Sequence, residues 1–246
     1  MYQPISGVAL RTVKYSDTSA ILSAWTAQLG HVSLLMPAAA SRESRRRRAL
    51  TMPMSLFQGV VDVRPGHPIM AVRDMRAAVV TPDITANPVK ATVAIFLADL
   101  LDSLLRDDSM GDAVLWQLIE DGVRTLDSLR NATAVANFHL WFMYRLGTVL
   151  GIEPDVSTYG PRRIFDLRGA VYRTSAPGHS DYLEYQPTHS PAAMPWLLSR
   201  LTPRTLHLLR LTADQRNTAL DTILRYYTLH SLTPGALRSL DVLRGL

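Results

Sequence analysis

The chain has 246 residues, 47% hydrophobic and 19% charged, which predicts a globular protein of two domains. It has no cysteine, so a disulfide framework, a cysteine-ligated zinc site and a thiol nucleophile are excluded. Residues 1–80 hold ten of the 26 Lys and Arg residues but only four of the 21 Asp and Glu residues, whereas the remainder is nearly neutral. This asymmetry favours a polyanionic partner for the first third of the chain.

Alternation of apolar and polar residues predicts five strands in this basic segment. They span residues 2–14, 19–27, 31–40, 51–63 and 68–80. The apolar phase slips in the first strand, which predicts a bulge near Arg11–Thr12, and Gly59 lies at a natural bulge position in the fourth. Five short strands with a basic charge suggest an OB-type barrel, although alternation alone does not separate it from an SH3-like one.

After residue 82 the apolar period changes to 3.6, which predicts helices. The first three span residues 88–105, 112–130 and 132–150, and two more begin at Thr202–Pro203 and at the capping box Thr212–Gln215. Residues 161–173 predict a small hairpin, and the Pro- and Ser-rich sequence up to Pro195 predicts a loop.

These elements predict an α+β fold in two parts. A five-stranded OB-fold β-barrel spans residues 1–82, and a mainly α-helical C-terminal domain with a small β-hairpin spans residues 83–246. No export signal and no apolar stretch long enough to cross a membrane is visible, so we expect a cytoplasmic protein with no membrane partner.

Short fragments spread along the chain carry a family resemblance. They are Gly7–Ser19, Gly30–Ser33, Pro88–Lys90, Phe96–Leu101, Ala136–Leu140, Arg225–His230 and Leu237–Leu243. In this order and spacing they resemble the RecO family of bacterial DNA repair proteins, over essentially the whole chain. Many members hold a four-cysteine zinc site in the C-terminal domain; since this chain has no cysteine, we expect a zinc-less member without metal or other cofactor.

The resemblance implies a function as well as a fold. It implies an OB-fold domain that binds single-stranded DNA and a nucleoid-associated, non-enzymatic mediator of recombination and repair. Such a mediator loads the recombinase RecA, in partnership with RecR, onto gaps coated with single-strand-binding protein, and it anneals complementary strands. The helical domain is then expected to bind the acidic, apolar C-terminal tail of single-strand-binding protein.

Basic residues of the barrel are the candidate DNA-binding residues, because guanidinium groups bind phosphate oxygens bidentately. Five arginines crowd into the loop after the third predicted strand, and four further cations lie on the first and last strands, which would form one basic stripe if those strands were neighbours. The candidates are Arg11, Lys14, Arg42, Arg45, Arg46, Arg47, Arg48, Arg73 and Arg76. Tyr15 and Trp25 are candidates for stacking on bases, although burial is the commoner outcome for barrel aromatics. For each cation the alternative is an ordinary solvated surface.

Two further sets of candidate residues lie in the helical domain. Arg124, Arg130 and Arg145 are candidate contacts for the tail of single-strand-binding protein, with a solvated surface as the alternative. His179, Asp181, Glu184 and His189 are the residues of a possible metal cluster, but their spacing fits no standard signature.

Other functions compete with the mediator role. No phosphate loop and no hydrolase motif is present, which favours binding without nucleotide hydrolysis. One alternative is a general OB-type nucleic-acid-binding accessory protein without a recombination role. Another is a nuclease that uses Asp and Glu residues with magnesium.

Overall fold

A computed structural model describes residues 1–37, 49–64, 66–186 and 190–246. Its first part forms the strands β1 (Tyr2–Lys14), β2 (Ser19–Thr26), β3 (Gly30–Pro37), β4 (Leu56–Asp62) and β5 (Ile69–Ala77). They close a barrel in the order β1–β2–β3–β5–β4, in which β3 and β5 are parallel and the other neighbours antiparallel. A closed five-stranded barrel with this crossover is of the OB type, and the predicted barrel is confirmed.

The fourth and fifth strands are shorter than the pattern predicts. β4 begins at Leu56 instead of residue 51, and β5 ends at Ala77 instead of residue 80. Met54 has a φ of 63°, in the left-handed region, and Pro53 lacks the N–H group that a strand ladder requires. The backbone therefore turns before β4 instead of extending it.

A bulge in β1 accounts for the slip of its apolar phase. The register with β2 shifts between Ala9 and Arg11, so Leu10 is the extra residue. The predicted bulge is confirmed, one residue before Arg11–Thr12. An extra residue reverses the inward and outward alternation of the side chains that follow it. The inward positions of β1 therefore change phase after the bulge.

The second predicted bulge is also confirmed, at Gly59. Gln58 pairs with Arg76 and Val60 with Arg73, so Gly59 lies opposite two residues of β5. One of them, Asp74, has a φ of 51°. A Cβ atom at Gly59 would lie 3.1 Å from Val72 Cγ2 and 3.3 Å from the carbonyl oxygen of Arg73, so glycine allows the close approach of the two strands.

The barrel interior is a single apolar cluster to which every strand contributes. Its buried members are Ile5, Ala9, Leu22, Ala24, Val32, Leu34, Met36, Phe57 and Val61, and Met70, Val72 and Met75 of β5 pack against them. The inward positions are therefore filled, and polar chemistry is restricted to the outside of the barrel.

The rest of the chain is mainly helical, as predicted. Its helices are α1 (Pro82–Ala86), α2 (Pro88–Leu104), α3 (Ala113–Ser128), α4 (Ala132–Val149), α5 (Met194–Arg200), α6 (Ala213–Leu229) and α7 (Leu240–Arg244). Asn87 caps α2 by accepting hydrogen bonds from the N–H groups of Val89 and Lys90, at 3.0 and 3.2 Å. The capping box of Thr212 and Gln215 precedes α6.

A small sheet interrupts the helices. The predicted hairpin is present as β6 (Ile164–Asp166) and β7 (Val171–Arg173), and a third strand, β8 (Tyr182–Leu183), pairs with β6 within the segment predicted to be a loop. The helix predicted from Thr202–Pro203 is wrong, since only a 3-10 turn forms there, at Leu206–Leu208.

The chain divides into two compact units. The first comprises Met1–Ser128 with Gly235–Leu243, and the second comprises Leu129–Pro234 with Arg244–Leu246. The barrel therefore shares its unit with α2 and α3, and the domain limits 1–82 and 83–246 stay a prediction. In the parts of the chain that the structure describes, no helix is both long and apolar enough to cross a membrane.

Candidate nucleic-acid interface

Helices α2 and α3, which belong to the same compact unit as the barrel, cover one side of its exterior. The outward residues Ser23, Trp25 and His31 of β2 and β3 form this covered face. Trp25 is fully buried, stacks on Trp116 of α3 with ring centroids 6.5 Å apart, and donates Nε1–H to Asp108 Oδ2 at 2.9 Å. OB-fold barrels commonly bind oligonucleotides across strands 2 and 3. In this chain α2 and α3 cover the part of that surface around Ser23 and Trp25, and Trp25 is not available to stack on a base.

A buried carboxylate, Asp102 of α2, holds the helix on the covered face. Ser23 donates its hydroxyl hydrogen to Oδ1, His31 Nε2 lies 3.2 Å from the same oxygen, and Arg11 Nε lies 3.3 Å from Oδ2. Burial would raise the pKa of Asp102, but the hydrogen bonds from His31 and Ser23 and the charge of Arg11 outweigh it and hold the pKa at about 2. One ionised carboxylate thus joins three strands to one helix.

The Ser23–His31–Asp102 group contains the residue types of a serine hydrolase, but its geometry differs. In a catalytic triad the serine and the aspartate contact opposite nitrogens of the imidazole. Here His31 Nε2 contacts both, with Ser23 Oγ at 2.8 Å and Asp102 Oδ1 at 3.2 Å. Since that nitrogen carries the hydrogen shared with the carboxylate, it does not accept a proton from Ser23. The arrangement is suited to holding α2.

The opposite side of the barrel exterior is exposed. The outward residues Tyr2, Gln58, Arg73 and Arg76 of β1, β4 and β5 form this open face. Residues three apart on a regular strand lie on opposite faces, but the extra residue at the Gly59 bulge places both arginines outside. Both are exposed, whereas the intervening Met75 packs against the core.

The two arginines of the open face contact neutral groups. Arg76 donates from Nη2 to Gln58 Oε1 at 3.2 Å, and the guanidinium carbon of Arg73 lies 5.1 Å from the centroid of the Tyr2 ring. Within the described ranges neither arginine forms an ion pair, whereas Lys14 pairs with Asp17 at 2.8 Å and Arg64 with Asp62 at 2.6 Å. The open face therefore carries two arginines without an ion-pair partner in the described chain, although Asp74 lies between them in sequence.

Curated relatives match the chain over its whole length. The DNA repair protein RecO of Phocaeicola vulgatus is 30% identical over 246 residues, which is 100% of this chain and 99% of the relative. The chain belongs to the RecO family. RecO of Bacteroides fragilis is 30% identical over 247 residues, with the same coverage, and RecO of Porphyromonas gingivalis is 26% identical over 243 residues, covering 97% of this chain and 96% of the relative. No protein-family profile matches the chain.

The condition for a single basic stripe on the barrel is not met in this RecO-family chain. The first and last strands are not neighbours, because β4 lies between β1 and β5. β1 pairs with β4 through residues 2–8 and with β2 through residues 7–14. Arg11 and Lys14 therefore lie on the half of β1 that adjoins β2, and Arg73 and Arg76 lie on the open face.

The remaining predicted site residues are placed as follows. Arg42, Arg45, Arg46, Arg47 and Arg48 lie outside the described residues, and their role in DNA binding stays a prediction. Tyr15, in the turn between β1 and β2, is 62% exposed. Arg124 pairs with Glu120 at 2.6 Å in the first compact unit, while Arg130 and Arg145 are exposed residues of the second. Their predicted contact with the tail of single-strand-binding protein stays a prediction as well.

One of the two acidic residues of the candidate metal cluster, Asp181, is bound to arginines in this RecO-family chain. Asp181 accepts hydrogen bonds from Arg225 and Arg168, which lower its pKa. His179 Nε2 lies 3.4 Å from Oδ1 of another carboxylate, Asp166, which also binds Arg173 at 2.6 Å. His189 lies outside the described residues. Among the residues that are described, no group of three or more potential metal ligands is found.

Sequence reasoning missed two residues that organise these faces. Asp102 is an acid within the apolar period of α2, and an acid at such a position signals either a buried partner or a break in the helix. Tyr2 precedes the recognisable family fragments, and nothing in the local pattern relates it to Arg73, which is 71 positions away. Both contacts depend on strand order and helix docking.

Proposed function

We propose that this RecO-family chain binds single-stranded DNA, anneals complementary strands and, with RecR, loads RecA onto gaps coated with single-strand-binding protein. The observation that best supports DNA binding is the open face, where Arg73 and Arg76 are exposed without a carboxylate partner in the described chain. A barrel face with such cations is suited to the phosphate backbone of a single strand. Binding of this kind also brings the protein to the nucleoid.

The arginine loop extends the proposed interface. Arg45–Arg48 follow β3, and the excess of cations in residues 1–80 comes largely from this loop. If four of its side chains neutralise phosphates, the slope of log K against log salt changes by about 3 on their removal, because each phosphate contact on a single strand contributes about 0.7.

The proposed mechanism is binding alone, without nucleotide hydrolysis. The barrel neutralises single strands while Arg124, Arg130 and Arg145 bind the acidic tail of single-strand-binding protein. Competing affinities among DNA, RecR and that tail then drive the exchange of binding partners. Neutralisation of two strands also lowers their mutual repulsion, which favours annealing.

The test of DNA binding is a salt series with the full chain and a labelled oligothymidine. We expect replacement of Arg45–Arg48 by alanine to lower the slope by about 3, and replacement of the same four residues by lysine to leave it unchanged, since lysine keeps the charge. An alanine variant with the wild-type slope would remove the loop from the interface. Absence of single-strand binding by the wild-type chain would overturn the proposed function.

The mediator role has its own test. Immobilised chain should retain purified RecR and a peptide with the sequence of the single-strand-binding protein tail, and triple replacement of Arg124, Arg130 and Arg145 by alanine should release the peptide. Oligonucleotide binding without retention of either partner would favour a general OB-type accessory protein. Cleavage of labelled DNA in the presence of magnesium would contradict a non-enzymatic mechanism.

A further inference from the structure

The exposed aromatic residues of the barrel differ from the buried ones in what they offer a ligand. Trp25 and Phe57 are fully buried, whereas Tyr2 is 54% exposed and Tyr15 is 62% exposed. Exposed aromatic rings on a basic barrel are the usual platforms on which bases of single strands stack. The two tyrosines are therefore the candidates, and their surroundings decide between them.

Tyr2 lies beside two arginines that form no ion pair in the described chain, and the carboxylate opposite it, Asp62, is already paired with Arg64 at 2.6 Å. On the outside of the sheet its ring is 5.1 Å from the guanidinium carbon of Arg73, and Arg76 follows on the same strand and face. A cation–π contact holds the ring in one orientation, which lowers the entropic cost of stacking. The exposed half of the side chain stays open to a base.

Tyr15 lies in a different environment. It follows Lys14, whose ammonium group is paired with Asp17 at 2.8 Å. That turn thus presents a neutralised cation beside its tyrosine. A nucleotide bound there would gain a stacking contact but would first have to displace the carboxylate from Lys14.

We propose that Tyr2 is a base-stacking platform for single-stranded nucleic acid, positioned by Arg73, with Arg73 and Arg76 binding the flanking phosphates. This inference rests on the proposed function and adds the residue that contacts bases. Because the covered face is filled by Trp25, Trp116 and Asp102, a strand on the open face does not compete with the packing of α2 and α3. Stacking is indifferent to base identity, so the site has no sequence preference.

The experiment measures the affinity of the full chain, tagged at its C-terminus, for a labelled oligothymidine and for a duplex. Tyr2→Ala should weaken single-strand binding about tenfold, the range for loss of one stacked base. The salt slope should stay at the wild-type value because no charge is removed. Tyr2→Phe should bind as the wild type does, and duplex binding should not change, since paired bases are not free to stack.

Two controls separate stacking from structure. Tyr15→Ala removes an equally exposed tyrosine and should leave affinity unchanged. Tyr2→Leu retains apolar bulk but has no aromatic face, so it should bind as weakly as Tyr2→Ala while its unfolding midpoint stays close to that of the wild type. An oligonucleotide containing 2-aminopurine should be quenched by the wild type and by Tyr2→Phe, but not by Tyr2→Leu.

The possible results distinguish this inference from the proposed function. If Tyr2→Ala and Tyr2→Leu bind the oligonucleotide as tightly as the wild type, the stacking platform is overturned and single-strand binding stands. If Tyr15→Ala weakens binding and Tyr2→Leu does not, the platform is at the turn between β1 and β2. If the wild-type chain binds no single strand, both proposals fail together.

Discussion

The covered face and the open face belong to one barrel, but their outward residues have different partners. On the covered face, Ser23 and His31 contact the carboxylate of Asp102, and Trp25 lies against Trp116. On the open face, Arg73 and Arg76 contact a tyrosine ring and an amide. The inward residues of both sides form the same apolar cluster. The two sides therefore differ in their outward residues and in the partners of those residues.

The comparison indicates that barrel topology does not by itself select the binding face. A buried polar group is tolerated when it has hydrogen-bond partners, and a buried charge when it is paired. Asp102 meets both conditions, so α2 packs on the strands that an OB-fold commonly offers to its ligand. Arg73 and Arg76 have no such partner in the described chain, so they remain in water until a ligand supplies the negative charge.

The largest expected effect is a fall in the free energy of unfolding when the carboxylate that holds α2 on the covered face is removed. Asp102→Asn leaves Arg11 and Arg106 beside a neutral amide, while the remaining side-chain oxygen can still accept from Ser23 or His31. Removing one partner of a fully buried pair costs about 3 kcal/mol, and because the side chains of Arg11 and Arg106 are 41% and 60% exposed, the cost here is smaller, about 2 kcal/mol. We expect a loss of that size in the free energy of unfolding, measured in urea at neutral pH.

A matched control is Asp17→Asn, which removes an ion pair that is solvent-exposed. The side chain of Asp17 is 96% exposed, and pairs of this kind contribute little to stability, so we expect no measurable change. If Asp102→Asn loses no more stability than Asp17→Asn, the covered face is held by apolar packing alone.

The pH dependence of stability tests the same carboxylate. The pKa of Asp102 is lowered from 3.8 to about 2, so its contribution is fully present above pH 4 and is lost as the pH falls through about 2. A shift of this size corresponds to about 2 kcal/mol. The difference in unfolding free energy between the wild type and Asp102→Asn should therefore shrink by about that amount between pH 5 and pH 2. A difference that is constant over this range would show that Asp102 is not the titrating group.

The sequence predicts those features of the barrel that depend on the pattern of residues along a single strand. Alternation identifies the strands, and the phase slip in β1 and the glycine at position 59 both mark real bulges. These signals are local because a side chain's face follows from its position along one strand. Helix α2 is predicted as well, since Asn87 and Pro88 supply its cap and first residue.

The division into a covered and an open face is not predictable in the same way. It depends on which strands are neighbours and on where α2 packs, and these are long-range contacts. Ser23 and Asp102 are 79 positions apart, and Arg11 looks like an ordinary exposed cation until its partner is known. The sequence leaves open whether β1 adjoins β5 for this reason, since period and charge do not determine strand order, and the structure places β4 between them.

The next effect concerns the open face. Replacement of both Arg73 and Arg76 by alanine should lower the slope of log K against log salt by about 1.4, which corresponds to about 25-fold weaker single-strand binding in 0.1 M salt. The measurement is the oligothymidine salt series. Arg204→Ala combined with Arg210→Ala removes two exposed arginines of the second compact unit and should leave the slope unchanged. An equal fall in both double variants would mean that net charge, and not the open face, governs binding.

The smallest expected effect is a gain in affinity at the bulge. Asp74 lies between Arg73 and Arg76 in sequence and is exposed, with a φ of 51° that asparagine adopts as readily as aspartate. Asp74→Asn removes one negative charge from the open face without changing the backbone. Single-strand binding should tighten by up to about fivefold in 0.1 M salt, since one charge alters the slope by about 0.7.

Asp17→Asn is the matched control for Asp74→Asn in the measurement of single-strand binding. It frees Lys14 at the turn between β1 and β2 and changes the net charge by the same amount as Asp74→Asn. If the open face binds the strand, only Asp74→Asn should tighten binding. Equal gains would mean that the DNA also contacts the turn or that it responds to overall charge alone. A gain confined to Asp17→Asn would transfer the interface to the turn, and Tyr15 would then replace Tyr2 as the tyrosine beside the bound strand.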